Sequence, residues 1–311
     1  MGHVLQIVSQ TEKGAQVELR EYQRDGIERC LAFLKARRSV YLADEMGLGK
    51  TLQAVCITED LSCRRVLVLC PAGLRLMWLG AFVPYQWSQG GDEALPATVF
   101  FESKDFKFHG DCDPLLYISS YDLASRGRGL DVLRDMSFDM LICDEAHYLK
   151  TATALRTKAV FGSIWDNSKY RILLSGTPCP NGIIDGYEAF HRLMPLVFCN
   201  KYQFGFRYTK AKRNWYTGSW EFKGGRNLGE LREILHKNCM VRRVKKDVTK
   251  ELPPKVYTTL PLEIDGPTVD LRLTSKMLAQ IEDGVSVVGG AVATKRRLLG
   301  MAKVPQVVEF I

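Results

Sequence analysis

The stretch "ADEMGLGKT", Ala43 to Thr51, follows a short apolar run, "SVYLA" at 39 to 43, and leads into residues that extend as a helix over 51 to 59. A strand, then glycines, then Lys-Thr opening a helix brings backbone N–H groups and the positive end of the helix dipole to one point, where phosphate oxygens are favoured. Gly47 and Gly49 permit the turn and the close approach, Lys50 would reach the β- and γ-phosphates, and the Thr51 hydroxyl would ligand Mg2+. One position departs from the strict G-x-x-x-x-G-K-[ST] loop: Asp44 stands where a glycine is expected.

A nucleotide loop needs an acidic partner at the end of another strand, because Mg2+ prefers hard oxygen ligands. "LICDEAH" supplies it: Asp144 directly follows the apolar run "FDMLIC" (138 to 143), so it belongs at the carboxyl end of a strand, where ligands bind in open α/β sheets. Glu145, one residue on, would address the attacking water. His147 could suggest zinc, but no H-E-x-x-H accompanies it, and the nine cysteines form no C-x-x-C pair.

Around these two motifs, strand-like and helical segments alternate. "RVLVLC" (65 to 70), "ATVFF" (97 to 101), "LLYIS" (115 to 119) and "RILLS" (171 to 175) are apolar and short; 19 to 34, 74 to 82, 121 to 135, 154 to 164 and 228 to 235 suit helices. Strands with few polar residues, separated by helices, imply a doubly wound, mostly parallel α/β sheet. The hydrophobic fraction of 46% and charged fraction of 25% fit a folded globular chain rather than a disordered or fibrous one. There is no run of 18 or more apolar residues and no signal-like start, so an intracellular protein without membrane association is expected. The formal charge of +8 has the sign that favours a polyanion. It is concentrated at Lys201 to Arg226, with seven basic residues and eight aromatics against one acid, Glu221.

"ADEMGLGKT" and "DEAH" resemble motifs I and II of superfamily-two helicases, and specifically of the Swi/Snf-type DNA-dependent ATPases, where D-E-M-G-L-G-K-T is the usual loop. The resemblance runs from about Leu19 to Ile311 and implies a RecA-like first lobe binding ATP and Mg2+. It assigns Asp44, Met46, Gly47, Leu48, Gly49, Lys50 and Thr51 to the nucleotide, with Thr51 and Asp144 at the metal and Lys50, Asp144 and Glu145 as the catalytic set. "LREYQRDGI" (19 to 27) is similar to the adenine-recognising motif, with Gln23 reading the base and Arg20 or Tyr22 beside the ring. "LLSGTP" (173 to 178) is similar to motif III, so His147, Ser175, Gly176 and Thr177 are expected to couple the nucleotide to the track.

The same resemblance places "VLCPAGLRLMW" (68 to 78) and "ISSYD" (118 to 122) over the nucleic-acid backbone, which makes Pro71, Leu74, Trp78, Ser119, Ser120 and Tyr121 candidate DNA contacts. The segment 206 to 235 most resembles the annealing-helicase branch, although Gly225 and Arg226 replace its usual Ser-Ser; Lys210, Lys212, Arg213 and Trp215 join the DNA candidates there. Double-stranded or branched DNA, held by its backbone, is the implied partner. The domain expectation is an extension at 1–18, a lobe at 19–252 with an insert at about 196–240, and a connector with the start of a second lobe at 253–311. A first lobe without most of its second is expected to turn over weakly. An RNA-directed DEAH-type helicase and a nonenzymatic scaffold are the rival readings, and a bacterial or viral source is preferred over a nuclear one.

Overall fold

The computed structural model describes residues 19–82, 97–106 and 115–248. All lie within Met1–Lys250, the first of two units into which the chain divides. Helix α1 (Glu21–Arg37) buries Ile27, Cys30 and Leu34, which its period brings to one face; Arg38, at φ 64°, then turns the chain into strand β1 (Ser39–Leu42). Strands β2 (Arg65–Cys70), β3 (Ala97–Val99), β4 (Leu115–Ser120), β5 (Phe138–Cys143) and β6 (Ser168–Leu174) follow. The antiparallel pair β7 (Lys210–Arg213) and β8 (Trp220–Lys223) stands apart, and β9 (Met240–Val241) returns to the main sheet.

That sheet has the order β3-β4-β2-β5-β6-β1-β9, and every neighbouring pair in it is parallel. Both faces are buried, as the strand composition requires. Val66, Val68 and Cys70 of β2 pack against α1, α2 (Lys50–Asp60) and α3 (Arg75–Phe82) through Leu34, Ala54, Ile57, Trp78 and Phe82. Leu67 and Leu69 face a second core, with Phe190 of α7 (Tyr187–Leu193), Phe204 of α8 (Lys201–Tyr208) and Leu231 and Leu235 of α9 (Leu228–Asn238). Each fully buried apolar side chain contributes about 1.5–3 kcal/mol, so two continuous cores hold the sheet between its helical layers. Among the described residues no helix is long and apolar enough to cross a membrane.

The expected strands at 65 to 70 and 138 to 143 match β2 and β5 in both limits. Others are corrected by local chemistry. The strand expected to reach Phe101 ends at Val99, because the Asp105 carboxylate captures the amides of Phe101 and Glu102 at 2.9 and 2.8 Å. The helix expected over 121 to 135 breaks into two pieces, Tyr121–Ala124 and Gly127–Arg134, where Gly127 adopts φ +48°. The helix expected over 154 to 164 is regular only at Leu155–Ala159 and widens into a π-turn over Val160–Ile164. β6 starts three residues before the expected Arg171, at Ser168. β9 was not foreseen at all: two residues carry no alternation to read.

Candidate nucleotide site

Three strands that lie side by side, β5, β6 and β1, end at the same edge of the sheet. Their carboxyl ends carry Asp144-Glu145, Ser175-Gly176-Thr177 and the loop 43 to 49 respectively. A Cβ placed on Gly176 would stand 3.6 Å from Lys50 Nζ and only 2.7 Å from Met46 Cγ, so the middle strand end touches the lysine loop directly. Lys50 and Asp144 each act on the other's ionisation, which puts the two motifs in one electrostatic site.

Gly47 and Gly49 take φ of 83° and 73°, left-handed values that L side chains resist, and α2 starts at Lys50 with no side chain capping it. Its first-turn N–H groups are therefore available to an anion. Lys50 Nζ donates to the Asp44 carbonyl at 3.0 Å and the Glu45 carbonyl at 3.4 Å, folding the loop around its own ammonium. Burial pushes the Lys50 ammonium below its ordinary range, while Glu145, Asp144 and Asp44 oppose that shift.

Asp44 explains the missing glycine. Its side chain is fully buried and turned into the protein: Oδ1 accepts from the Arg243 backbone N–H at 2.9 Å and from Arg243 Nε at 3.1 Å. Oδ2 pairs with Arg243 Nη2 and accepts from Gln53 Nε2 at 3.2 Å, and Arg243 Nη2 donates onward to Gln53 Oε1 at 2.8 Å. The backbone is tied along the same line, since Tyr41, Ala43 and Glu45 donate their N–H groups to the carbonyls of Cys239, Val241 and Arg243. Arg242 Nη1 adds bonds to the Ala43 and Gly176 carbonyls at 2.8 and 3.2 Å. A loop that lacks its first glycine is held from behind by a buried ion pair instead. The counting of Asp44 among the nucleotide contacts is thus corrected for its carboxylate, which faces away from the loop mouth.

Asp144 is 7% exposed. Its Oδ2 accepts from Trp78 Nε1 at 2.9 Å and its Oδ1 from the Glu145 N–H at 2.9 Å. Burial raises its carboxyl above the ordinary carboxylate range; the Trp78 and Glu145 hydrogen bonds and Lys50 pull it back down. Tyr121 Oη donates to the Asp144 carbonyl at 2.7 Å and so fixes the backbone behind it. Glu145 itself sits at φ 49°, ψ 51°, a left-handed conformation that a non-glycine residue adopts only when its surroundings impose it. Its Oε2 accepts from Ser175 Oγ at 3.3 Å and lies 3.0 Å from His147 Nδ1, which is 3.1 Å from the same Ser175 oxygen. Thr177 donates its N–H to Ser175 Oγ at 3.1 Å. With the serine proton given to Glu145, His147 must carry its proton on Nδ1.

Other predicted residues fall in varied places. Gln23 is buried, accepts the Arg20 N–H at Oε1 (3.0 Å) and donates to the Leu48 carbonyl (3.4 Å), so its amide joins α1 to the loop. Tyr22 lies under the Arg243 guanidinium, 5.5 Å from ring centroid to Cζ. Leu48 is buried and Met46 is 60% exposed at the mouth. Several DNA candidates are corrected. Trp78, Ser119, Ser120 and Tyr121 are buried and hold Asp144 or local backbone, because each has a polar atom that the core must satisfy; none presents a surface. Pro71 and Leu74 are half-buried, and the outward residues beside them are Ala72, Gly73, Leu76 and Met77. Lys210, Lys212, Arg213 and Trp215 are exposed. Arg242, Arg243 and Gln53 escaped sequence reasoning; the available signal was an acid inside a buried loop, which demands a cation, and the "VRRVKK" run at 241 to 246.

A parallel sheet with a lysine loop, a strand-end Asp-Glu and a bridging serine at adjoining strand ends defines a P-loop nucleotide-binding lobe of the RecA-like kind. The SNF2-related domain matches residues 22–270, and the chain belongs to that family. Its relatives include the SWI/SNF-related matrix-associated actin-dependent regulator of chromatin subfamily A-like protein 1 of Bos taurus, 35% identical over 235 residues, which are 75% of this chain and 23% of that protein. The DNA annealing helicase and endonuclease ZRANB3 of Mus musculus is 29% identical over 254 residues, covering 80% of this chain and 23% of that one. Among solved structures, the Sulfolobus solfataricus SWI2/SNF2 ATPase core in complex with dsDNA superposes with a TM-score of 0.61 at 26% identity, over 76% of this chain and 47% of that one. The chain spans less than a third of the length of these curated relatives, 31% in that of Xenopus tropicalis.

Proposed function

We propose that this chain is the ATP-binding lobe of a DNA-dependent ATPase that tracks along double-stranded or branched DNA without reading sequence. The observation that carries the proposal is the meeting of Lys50, Asp144-Glu145 and Ser175 at three adjoining strand ends. The site's donor set suits a magnesium nucleotide: an uncapped helix start, a lysine folded over the loop, and hard carboxylate oxygens on Asp144. Thr51 and Asp144 would hold the metal, which when bound neutralises phosphate charge. Lys50 binds the phosphates in exchange for its two loop carbonyls. Glu145 orients water and takes its proton, and the Ser175–His147 contact holds that carboxylate in place. Movement at Ser175 or Thr177 reaches Glu145 through one hydroxyl, which makes motif III the coupling element.

The test is ATPase activity of the protein joined to its second lobe, with duplex DNA, single-stranded DNA and RNA compared at one salt concentration, because phosphate binding falls steeply with ionic strength. Duplex DNA is expected to stimulate most; stimulation by RNA alone would refute the DNA assignment. Lys50→Ala is expected to weaken ATP binding roughly 10- to 150-fold, the loss of one charged hydrogen-bonding group, as read by isothermal titration.

Trp78→Phe supplies a pH test. The indole N–H lowers the Asp144 carboxyl, so its removal raises it, and Asp144 must be ionised to hold a cation. The acid limb of the ATPase profile is therefore expected to move to higher pH, with the alkaline side unchanged. An unmoved acid limb would separate Asp144 from the metal role.

A further inference from the structure

The hairpin β7–β8 carries two aromatic rings in open solvent. Trp215 is 91% exposed and Tyr216 is 95% exposed, at the tip of the loop 214 to 219. Solvating two such rings on one short loop is unfavourable, so the way the loop is built matters.

The loop is strongly determined. Asn214 Oδ1 accepts from the N–H groups of Tyr216 and Thr217 at 2.9 and 3.1 Å, and Asn214 Nδ2 donates to Glu221 Oε1 at 2.6 Å. Asn214 N donates to the Ser219 carbonyl at 2.8 Å, Gly218 N donates back to the Asn214 carbonyl at 2.9 Å, and Gly218 takes φ +68°. The stem is equally fixed. Trp220 and Phe222, on one face of β8, meet Phe206 of α8 edge-on at 4.8 and 5.5 Å, and Tyr202 meets Phe222 at 5.8 Å. Glu230 of α9 ties down α8 by accepting from Tyr208 Oη at 2.8 Å and from Arg207 at 2.7 Å. The opposite face of the hairpin carries Lys210, Lys212 and Lys223, with Glu221 already engaged by Lys223 and Asn214.

We infer that Trp215 and Tyr216 form a stacking platform for unpaired nucleobases, with the lysine face of the hairpin holding the adjoining phosphates. The inference rests on the DNA reading above and specifies the part of the DNA that this insert takes. Paired bases offer no face to a ring outside the helix, whereas an unpaired base of any identity does. The tip is convex and only two rings wide, too small for the roughly 800 Å² per partner that a stable protein interface buries. The cations beside it complement phosphate, which an apolar protein partner would not require.

The test uses the full 311-residue chain and fluorescence anisotropy with two probes, a blunt DNA duplex and an oligothymidylate of roughly 16 nucleotides, enough for one site. The pair Trp215→Ala/Tyr216→Ala is expected to bind oligothymidylate at least about tenfold more weakly, with duplex affinity and melting temperature unchanged. The pair Trp215→Phe/Tyr216→Phe keeps a ring at each position and is expected to retain single-strand affinity. Oligothymidylate binding unaltered by the alanine pair overturns the inference and assigns the tip to another partner. Equal losses on duplex and single strand overturn it too, since the rings would then serve the hairpin as a whole. A parent chain that binds duplex but not oligothymidylate overturns it while leaving the DNA reading intact; a parent that binds neither overturns the inference and leaves the DNA reading to the ATPase comparison.

Discussion

Arg243→Ala is expected to destabilise the lobe by about 3–5 kcal/mol, the cost of leaving a buried charge without its partner. Asp44 is 0% exposed and Arg243 10%, so loss of the guanidinium leaves the carboxylate largely out of bulk water. Three of the four hydrogen bonds to the Asp44 carboxylate from other groups' N–H come from Arg243, one of them from its backbone, which alanine keeps. For a domain of this size the loss corresponds to a fall of roughly 6–20 °C in melting temperature. A melt followed by circular dichroism reads it directly. Adding Asp44→Asn to Arg243→Ala removes the stranded charge and should restore part of the loss; a double variant no more stable than Arg243→Ala would show that the pair is not the source. A shift below about 2 °C for Arg243→Ala itself would end the argument that this ion pair replaces the loop's first glycine.

Glu145→Gln is expected to keep ATP binding and to lower hydrolysis by the two-lobed protein about 10²- to 10⁴-fold, the range for losing a general base. Glutamine preserves the shape and can still accept from Ser175 Oγ, so the left-handed turn at 145 and the Ser175–His147 contact survive. It cannot take a proton. Binding measured by titration should therefore match the parent, whereas single-turnover hydrolysis should not. Normal hydrolysis in the variant would transfer the water-activating role elsewhere.

The lysine loop and the strand-end acids were legible because each needs a particular residue type at a fixed offset from a strand. "FDMLIC" ends where Asp144 must begin, and the glycines of "GLGKT" can serve few purposes other than a tight left-handed turn. What could not be read was any contact set by distance in space. Arg243 lies 199 residues from Asp44, and nothing local distinguishes it from Arg242 or Lys246. Trp78 misled for a related reason. Leu76 and Met77 beside it on α3 are exposed, but the indole is turned inward to satisfy Asp144, and a helix face of mixed apolar residues does not reveal which ring is the buried one. Ser119 and Ser120 were similarly ambiguous, since a hydroxyl at a strand end suits a phosphate contact or a helix cap equally, and Ser120 caps.

The short strand β9 gives the lobe a mechanical property. The chain leaving the sheet at Val241 runs beside the nucleotide loop as far as Lys245, whose N–H donates to Glu45 Oε2 at 2.8 Å. A pull along that departing segment would load its rungs to Tyr41, Ala43 and Glu45 in shear, together with the Arg243 clamp, before it strained the rest of the sheet. Tension on the chain at Lys245 would therefore reach the lysine loop at Ala43 and Glu45 before it reached the inner strands.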